Sequence, residues 1–183
     1  MIRHCFHETP FSLSPIAEAG SRFYNAGMIR PAIAADTPTI ARLIRDLADY
    51  ERLAHAVTLD EGRLREHLFG PRPFAEVLLA EEAGNIAGFA LFFHNYSTFS
   101  ATPSLYLEDL FVRPEYRGQG HGKQLLKALA RIAVERGCGR LEWCVLDWNA
   151  PAIAFYRSLG AEPMDDWTVF RLAGDALAKM SGG

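Results

Sequence analysis

The stretch from Leu105 to Ile132 constrains the fold more than any other, because it joins an apolar run to a glycine-rich turn and an amphipathic helix. The run LYLEDLFV, Leu105–Val112, is apolar at six of its eight positions, which is typical of a strand buried on both faces. Residues 118–122 read GQGHG. Glycines between a strand and a helix let backbone N–H groups approach a ligand, and the helix N-terminus adds free donors and a positive dipole end. Such a turn suits a phosphate or pyrophosphate group.

Two common nucleotide-binding motifs do not fit this turn. A Walker P-loop would need glycine at Arg117 and serine or threonine at Gln124, and the third glycine of a Rossmann fingerprint would fall on Lys123. A tight turn that simply uses glycine is the other alternative. Three alternating glycines flanked by Arg117 and Lys123 favour an anion-binding site.

Glu108 and Asp109 lie side by side inside the apolar run. An unpaired carboxylate costs several kcal/mol to bury, so two in succession need water, a partner or a function. They could mark a strand edge turned to water, a structural ion pair or an active site. Adjacent residues of a regular strand point to opposite faces, so the two carboxylates share one pocket only if a β-bulge intervenes.

The rest of the chain predicts a mixed order of helices and strands without an internal repeat. Helices are predicted from Pro38 with Asp36 or Thr37 as the cap, over TLDEGRLREHLF with a Thr58–Glu61 capping box, after the glycine-rich turn as far as Gly137, and over PAIAFYRSL up to Gly160. Strands are predicted over residues 28–34, 74–80 and 86–93 and over RLEWCVLD and WTVFRL, with the second and third forming an antiparallel hairpin. This order predicts one α+β domain around a central sheet.

Charge and cysteine content argue against several classes of protein. A net charge of −3 gives no electrostatic footprint for nucleic acid or an anionic membrane, and the apolar runs are too short to cross a bilayer. Cys5, Cys138 and Cys144 form no CxxC pair. Together with the lack of a signal peptide, this predicts a reducing, cytoplasmic setting.

Residues 1–27 differ from the remainder, because they have no clear periodicity and precede a second MIRP-type start at Met28. We therefore predict a flexible, dispensable extension over 1–27 and a domain over 28–183. His4 and His7 could ligate a metal ion, but a lone pair in such a segment is more often incidental, and we predict no metal site.

The pattern Arg117-x-x-Gly120-x-Gly122 resembles the acetyl-CoA pyrophosphate-binding motif of the GNAT N-acetyltransferase superfamily. The segments YLEDLFVRPEYRGQGHG, VLDWNAPAIAFYRSLGA and RPAIAAD are similar to the diamine acetyltransferases, the spermidine/spermine and thialysine enzymes, and the likeness runs from about Met28 to Phe170. It implies a GNAT fold, α+β, with a central mixed, mostly antiparallel sheet flanked by helices and acetyl-CoA at a splayed strand pair. It also implies a β-bulge in the strand of Glu108, which would free a backbone N–H to polarise the thioester carbonyl.

The resemblance gives Glu108 and Tyr156 catalytic roles. An alkylamine with a pKa near ~10.4 is mostly protonated at neutral pH, which separates it from its reactive form by roughly 4–5 kcal/mol. Glu108 could accept that proton if a partly dry site raises its own pKa. Tyr156 could protonate the departing CoA thiolate, although its helical spacing also fits a core position. Direct attack in a ternary complex is favoured over a cysteine nucleophile, since no cysteine has an evident base.

The resemblance places acetyl-CoA along three parts of the chain, without a metal. The pantetheine arm is expected along the backbone of Leu110, Phe111 and Val112. The pyrophosphate is expected at Arg117, Gly118, Gln119, Gly120, His121, Gly122 and Lys123, and a further boundary of the cofactor at Asn149, Ala150, Pro151 and Ala152.

The amine pocket is expected at Tyr50, Glu51, Glu108 and Asp109. The loop YSTF, Tyr96–Phe99, is closer to the thialysine branch than to the polyamine enzymes. The acceptor is therefore expected to be a small primary amine: thialysine, a diamine or polyamine, or a lysine-like amine. The alternatives are an acetyltransferase for a protein lysine or N-terminus and a non-catalytic acetyl-CoA sensor. The resemblance also implies a homodimer, to which the strand predicted at 167–172 could contribute.

Overall fold

The computed structural model describes residues 28–182, which form two compact units. The first unit ends at Cys144 and the second begins at Val145. The extension predicted over 1–27, with His4, Cys5 and His7, lies outside the described residues.

The first unit contains all five described strands and three of the described α-helices, and the second contains the other two. The strands are β1 Ile29–Pro31, β2 Glu76–Glu82, β3 Asn85–Ser97, β4 Thr102–Val112 and β5 Leu141–Trp143. The helices are α1 Thr37–Tyr50, α2 Glu61–Phe69, α3 His121–Glu135, α4 Ala150–Ser158 and α5 Gly174–Met180. Within residues 28–182, each helix falls short of the length and hydrophobicity that a membrane span requires.

The sheet has the order β1-β2-β3-β4-β5. The first three pairings are antiparallel, and β5 pairs with β4 in parallel. The hairpin predicted from the sequence is β2–β3, and α3 follows the glycine-rich turn as expected. The predicted α+β class with a mixed, mostly antiparallel sheet is confirmed.

One hydrophobic cluster of the first unit lies between α1 and the sheet. Ile40, Leu43 and Leu47 recur on one face of α1 and are buried. They belong to one cluster with Phe89 of β3 and Phe111 of β4. Because burial of each such side chain contributes about 1.5–3 kcal/mol, the cluster holds α1 firmly against the strand that carries the candidate carboxylates.

Two helix caps differ from the sequence prediction. The cap of α2 is Asp60, whose carboxylate accepts a hydrogen bond from the Arg63 N–H at 2.7 Å, so the Thr58–Glu61 capping box is wrong. Aspartate directly before the first turn is among the best caps, and it takes this position from the threonine two residues earlier. Asp36 precedes α1, but its carboxylate binds the guanidinium of Arg30 at 2.7 Å instead of capping the helix.

The strand predicted at WTVFRL is wrong. None of the five described strands pairs with residues 167–172, and α5, which the sequence analysis did not predict, follows them. Trp167 is 70% exposed and Phe170 is 91% exposed. The apolar pattern favoured a strand, but a strand forms only beside a hydrogen-bonded neighbour. For the same reason RLEWCVLD yields only the three residues of β5 that pair with β4.

Candidate active site

A β-bulge in β4 lies at Glu108. Leu107 pairs with Phe92 of β3 and Asp109 pairs with Leu91, so consecutive residues of β3 face residues of β4 that are two apart. Glu108 is the extra residue and has no partner in the ladder. The bulge that the family resemblance implied is therefore confirmed.

The bulge changes which side chains share a face of β4. Leu91 and Phe92 are adjacent and point to opposite faces of β3, so their partners Asp109 and Leu107 also lie on opposite faces. In a regular strand, residues two apart would share a face. Asp109 therefore lies on the same face as Phe111, which packs against α1.

The two neighbouring carboxylates differ in burial. Glu108 is exposed, whereas Asp109 is part-buried. The pKa of Asp109 is raised to about 6, chiefly by burial and also by the negative charges of Glu108 and Glu51. Burial also raises the pKa of Glu51, which directly follows α1.

The carboxylates of Glu51 and Glu108 therefore lie close enough to Asp109 to raise its pKa, and the three form one group. We call them the acid cluster. The sequence analysis assigned the partly dry carboxylate to Glu108, but in the structure it is Asp109. The bulge is the signal that could have predicted this, because it turns Asp109 toward α1 and Glu51.

Tyr106 is a polar residue near the site that the sequence analysis missed. Its hydroxyl donates a hydrogen bond to Cys144 Sγ at 3.1 Å, across from β4 to the chain after β5. This hydrogen bond raises the pKa of the Tyr106 phenol, and burial and the charge of Glu108 add to the shift. Cys144, predicted inside a strand, lies one residue beyond β5 and is exposed.

The β4–β5 pairing ends beside the bulge. Its last pair is Leu107 with Trp143, and the pairing does not continue to Leu110, where the pantetheine arm is predicted. The backbone of β4 from Asp109 onward is paired with β3 but not with β5. This geometry fits the predicted splayed strand pair, with an open strand edge that can offer backbone hydrogen bonds.

The glycine-rich turn is built from left-handed backbone. Gly118 has φ +76° and Gly120 has φ +88°, a region that side chains rarely adopt. No heavy atom lies within 4 Å of the Cβ position at either residue, so the space above the turn is open. Gly120 directly precedes α3, whose first N–H groups have no intrahelical partner.

His121, predicted to contact the cofactor, has a buried side chain. Its Nε2 atom lies 3.5 Å from Glu82 Oε2, and its ring meets the ring of Tyr116 edge-on with centroids 6.1 Å apart. Only the backbone of His121 is therefore available to a ligand. The side chains of Gln119 and Lys123 are exposed.

Arg117 begins the predicted motif, and its side chain is held by groups of the protein. The Nε–H donates to the carbonyl oxygen of Val112 at 3.0 Å. The guanidinium carbon lies 4.6 Å from the ring centroid of Tyr50 and 5.6 Å from that of Phe111. The sequence analysis placed Tyr50 in the amine pocket and Arg117 at the pyrophosphate, and it missed their contact.

Tyr156 and Asn149 lie in the second unit. The Asn149 side chain accepts a hydrogen bond from the Ala152 N–H at 3.3 Å and so caps α4. Tyr156 is part-buried on α4, with its ring 5.5 Å from that of Phe155. The roles predicted for Tyr156 and for residues 149–152 stay predictions.

Metal ligands are not grouped in the described part of the chain. Residues 28–182 contain no cluster of three or more histidine, cysteine, aspartate or glutamate side chains that could hold a metal ion. The acid cluster consists of carboxylates alone.

Comparisons with known proteins give concordant matches. The model of the Acetyltransferase (GNAT) family matches residues 40–161. The thialysine N-epsilon-acetyltransferase of Bos taurus is 40% identical over 166 aligned residues, covering 85% of this chain and 97% of that protein. The L-ornithine N5-acetyltransferase of Arabidopsis thaliana is 34% identical and covers 92% of each chain. An integron cassette protein from the mobile metagenome of V. cholerae has a TM-score of 0.72 and 28% identity, covering 85% of this chain and 97% of that one.

Proposed function

The chain belongs to the GNAT acetyltransferase family, and from that premise we propose that it transfers an acetyl group from acetyl-CoA to the primary amine of a small molecule. The proposed acceptors are thialysine, a diamine or polyamine, or a lysine-like amine. One observation carries this proposal: Glu108 and Asp109 of the acid cluster lie on β4, the strand that leads into the glycine-rich turn. The names of the thialysine and ornithine relatives support an amine of this size.

The turn fits the phosphates of acetyl-CoA, which would supply the acetyl thioester. Left-handed glycines at 118 and 120 leave backbone N–H groups uncovered, and the N-terminus of α3 adds donors and a positive dipole end. Arg117 and Lys123 place positive charge on either side. The donors of the turn are backbone N–H groups, which can bind phosphate oxygens directly, so the proposed recognition requires no metal.

The acid cluster has two tasks in this proposal. Asp109, with a pKa of about 6, is mostly ionised near neutral pH and attracts the ammonium group together with Glu51. Glu108 is exposed and outside the ladder, so its carboxylate is free to take the proton of the bound ammonium, directly or through water. Removing that proton makes the amine nucleophilic. For an ordinary alkylamine at neutral pH, this deprotonation costs roughly 4–5 kcal/mol.

Tyr156 is the proposed general acid. A phenol can protonate the departing thiolate because the pKa values of phenols and thiols lie within about two units of each other. We propose direct attack of the amine on the thioester, without an acetyl-cysteine intermediate. Burial raises the pKa of the Cys138 thiol, and the hydroxyl of Tyr106 donates to Cys144 Sγ and so does not act as a base that takes its proton.

We also propose a homodimer. Trp167, Val169 and Phe170 are exposed within the second unit, and burial of such side chains is favourable. Light scattering is expected to give twice the 20.4 kDa mass of one chain. A mass of 20.4 kDa at micromolar concentration would contradict the dimer.

The test of the proposed function is CoA release from acetyl-CoA with a panel of thialysine, ornithine, spermidine, lysine and short peptides. Turnover with one of the small amines, and not with peptides, is expected. Turnover with peptides alone would replace the proposal with a protein acetyltransferase. Binding of acetyl-CoA without turnover on any member would replace it with a sensor.

A further inference from the structure

We propose that Arg117 is a positioning residue for the amine side of the site, in addition to its predicted place at the phosphates. Its guanidinium connects the carboxyl end of α1, which carries Tyr50 and Glu51, to β4, which carries Asp109. This inference rests on the proposed function, because it names a residue on which amine affinity depends.

The guanidinium of Arg117 is fixed from two sides. The Nε–H donates to the Val112 carbonyl oxygen at 3.0 Å, which anchors the group to the end of β4. The Tyr50 ring lies beneath it at 4.6 Å, within the range of a cation–π interaction, and the Phe111 ring lies at 5.6 Å. The Tyr50 and Phe111 rings are tilted toward each other with centroids 6.5 Å apart, so both rings and the guanidinium form one contact group.

The end of α1 contains a residue in the left-handed backbone conformation, which such a contact helps to hold. Arg52 has φ +62°, which is uncommon for a residue other than glycine. The Leu53 N–H donates to the Ala48 carbonyl at 2.7 Å and the Arg52 N–H to the Asp49 carbonyl at 3.1 Å, as in a Schellman motif. Strained backbone of this kind persists where the surrounding structure holds it.

Glu51 lies between the stacked Tyr50 and the strained Arg52. Its charge reaches Asp109, so its position sets the charge environment of the amine. If Arg117 lost its stacking on Tyr50, the end of α1 would be held less firmly, and Glu51 and Asp109 would be less well placed for one ammonium group. The affinity for the amine should therefore fall, whereas the acidity of the leaving thiol should not change.

Arg113 offers a matched control on the same surface. It lines the same cavity of about 550 Å³ as Arg117, Tyr50 and Phe111. Its Nε atom lies 3.8 Å from Asp46 Oδ2, so this guanidinium faces a carboxylate. Replacement of either arginine by lysine keeps the charge, but only at Arg117 does it remove a guanidinium stacked on Tyr50.

The first experiment tests the contact itself, by thermal unfolding of Arg117→Lys, Tyr50→Leu and the double variant. The losses in Tm should not add, because either single change already removes the stacking. In a Tyr50→Phe background, which retains the ring, Arg117→Lys should lower Tm as much as it does in wild type. Additive losses would overturn the proposal.

The second experiment tests the positioning role, by steady-state kinetics with acetyl-CoA and the best amine of the panel. Arg117→Lys should raise the KM for the amine about two- to fivefold, the size of an exposed cation–π interaction, with a smaller change in kcat. Arg113→Lys should leave the KM for the amine unchanged. An unchanged amine KM in Arg117→Lys, or an equal rise in Arg113→Lys, would overturn the positioning role.

The two experiments also separate this inference from the proposed function. If the wild-type protein acetylates no amine of the panel, the proposed function fails and the positioning role fails with it. The Tm cycle then still decides whether Arg117 and Tyr50 are coupled. If turnover is present and only the amine KM fails to respond, the proposed function stands and the role of Arg117 is wrong.

Discussion

The acid cluster draws on β4 and the end of α1, whereas the glycine-rich turn follows β4, and the two are built on opposite physical designs. The acid cluster uses side chains, is partly buried, and its charges raise the pKa of Asp109. The turn uses backbone, is exposed, and depends on two left-handed glycines. The difference indicates that amine recognition should depend on charge and pH, whereas cofactor recognition should depend on backbone conformation.

The largest expected effect is at Gly120. Valine there would be strained at φ +88° and would displace the backbone donors, so kcat/KM for acetyl-CoA should fall on the order of 10³-fold, the value of two charge-assisted hydrogen bonds. Gly84→Val is the matched control, since Gly84 has φ +79° and equally open space in the β2–β3 turn. It should lower Tm similarly and leave KM for acetyl-CoA unchanged. Equal kinetic losses in both variants would remove the turn from cofactor binding.

Tyr156→Phe is expected to have the next largest effect, and it should alter neither amine recognition nor cofactor recognition. Loss of a general acid should lower kcat about 10²-fold, with the KM values for amine and acetyl-CoA little changed. Steady-state kinetics at neutral pH measures kcat and both KM values. Unchanged turnover would remove Tyr156 from the mechanism.

Asp109→Asn should affect the amine side alone. Loss of one desolvated charge opposite an ammonium group should lower kcat/KM for the amine roughly 10–30-fold, while KM for acetyl-CoA stays within about twofold. Asp46→Asn, a change of the same kind beside Arg113, serves as the control. A rise in KM for acetyl-CoA in Asp109→Asn would contradict the separation of amine recognition at the acid cluster from cofactor recognition at the turn.

The same variant should change stability with a defined sign. The folded-state pKa of Asp109 is raised from 3.8 to about 6, so its protonated form favours folding, and that contribution is lost as the pH rises through about 6. Asp109→Asn carries no charge and should be more stable than wild type above pH 6, on the order of 2 kcal/mol, and no more stable below about pH 4. Urea unfolding at pH 4 and pH 8 measures the difference. A loss of stability at pH 8 would contradict the burial of this carboxylate.

The smallest expected effect is a displacement of the pH profile. In wild type, kcat/KM for the amine should rise as Asp109 ionises near pH 6. Glu51→Gln removes one charge that raises the pKa of Asp109, so this rise should move to lower pH by a few tenths to about one pH unit. The Asp46→Asn profile should coincide with wild type. A profile of Glu51→Gln that coincides with wild type would separate Glu51 from the acid cluster.

The sequence predicted the turn better than the acid cluster, because glycine spacing reports backbone conformation directly. The turn, α3 and the β2–β3 hairpin follow from local patterns. The burial of Asp109 does not, because it depends on a one-residue bulge and on the end of α1, which lies far away in the sequence. The strand predicted at 167–172 failed for a related reason, since periodicity predicts an extended segment but not the neighbour with which it pairs.

The bulge also has an evolutionary consequence. Leu107 and Asp109 already pair with adjacent residues of β3, so deletion of Glu108 would leave every other pair of the β3–β4 ladder in its present register. A descendant could thus lose the proposed proton acceptor in one event and keep a continuous sheet, its core and its glycine-rich turn. Natural variants lacking this one residue should fold and still bind the cofactor, and would therefore be the place to look for receptors that arose from an enzyme.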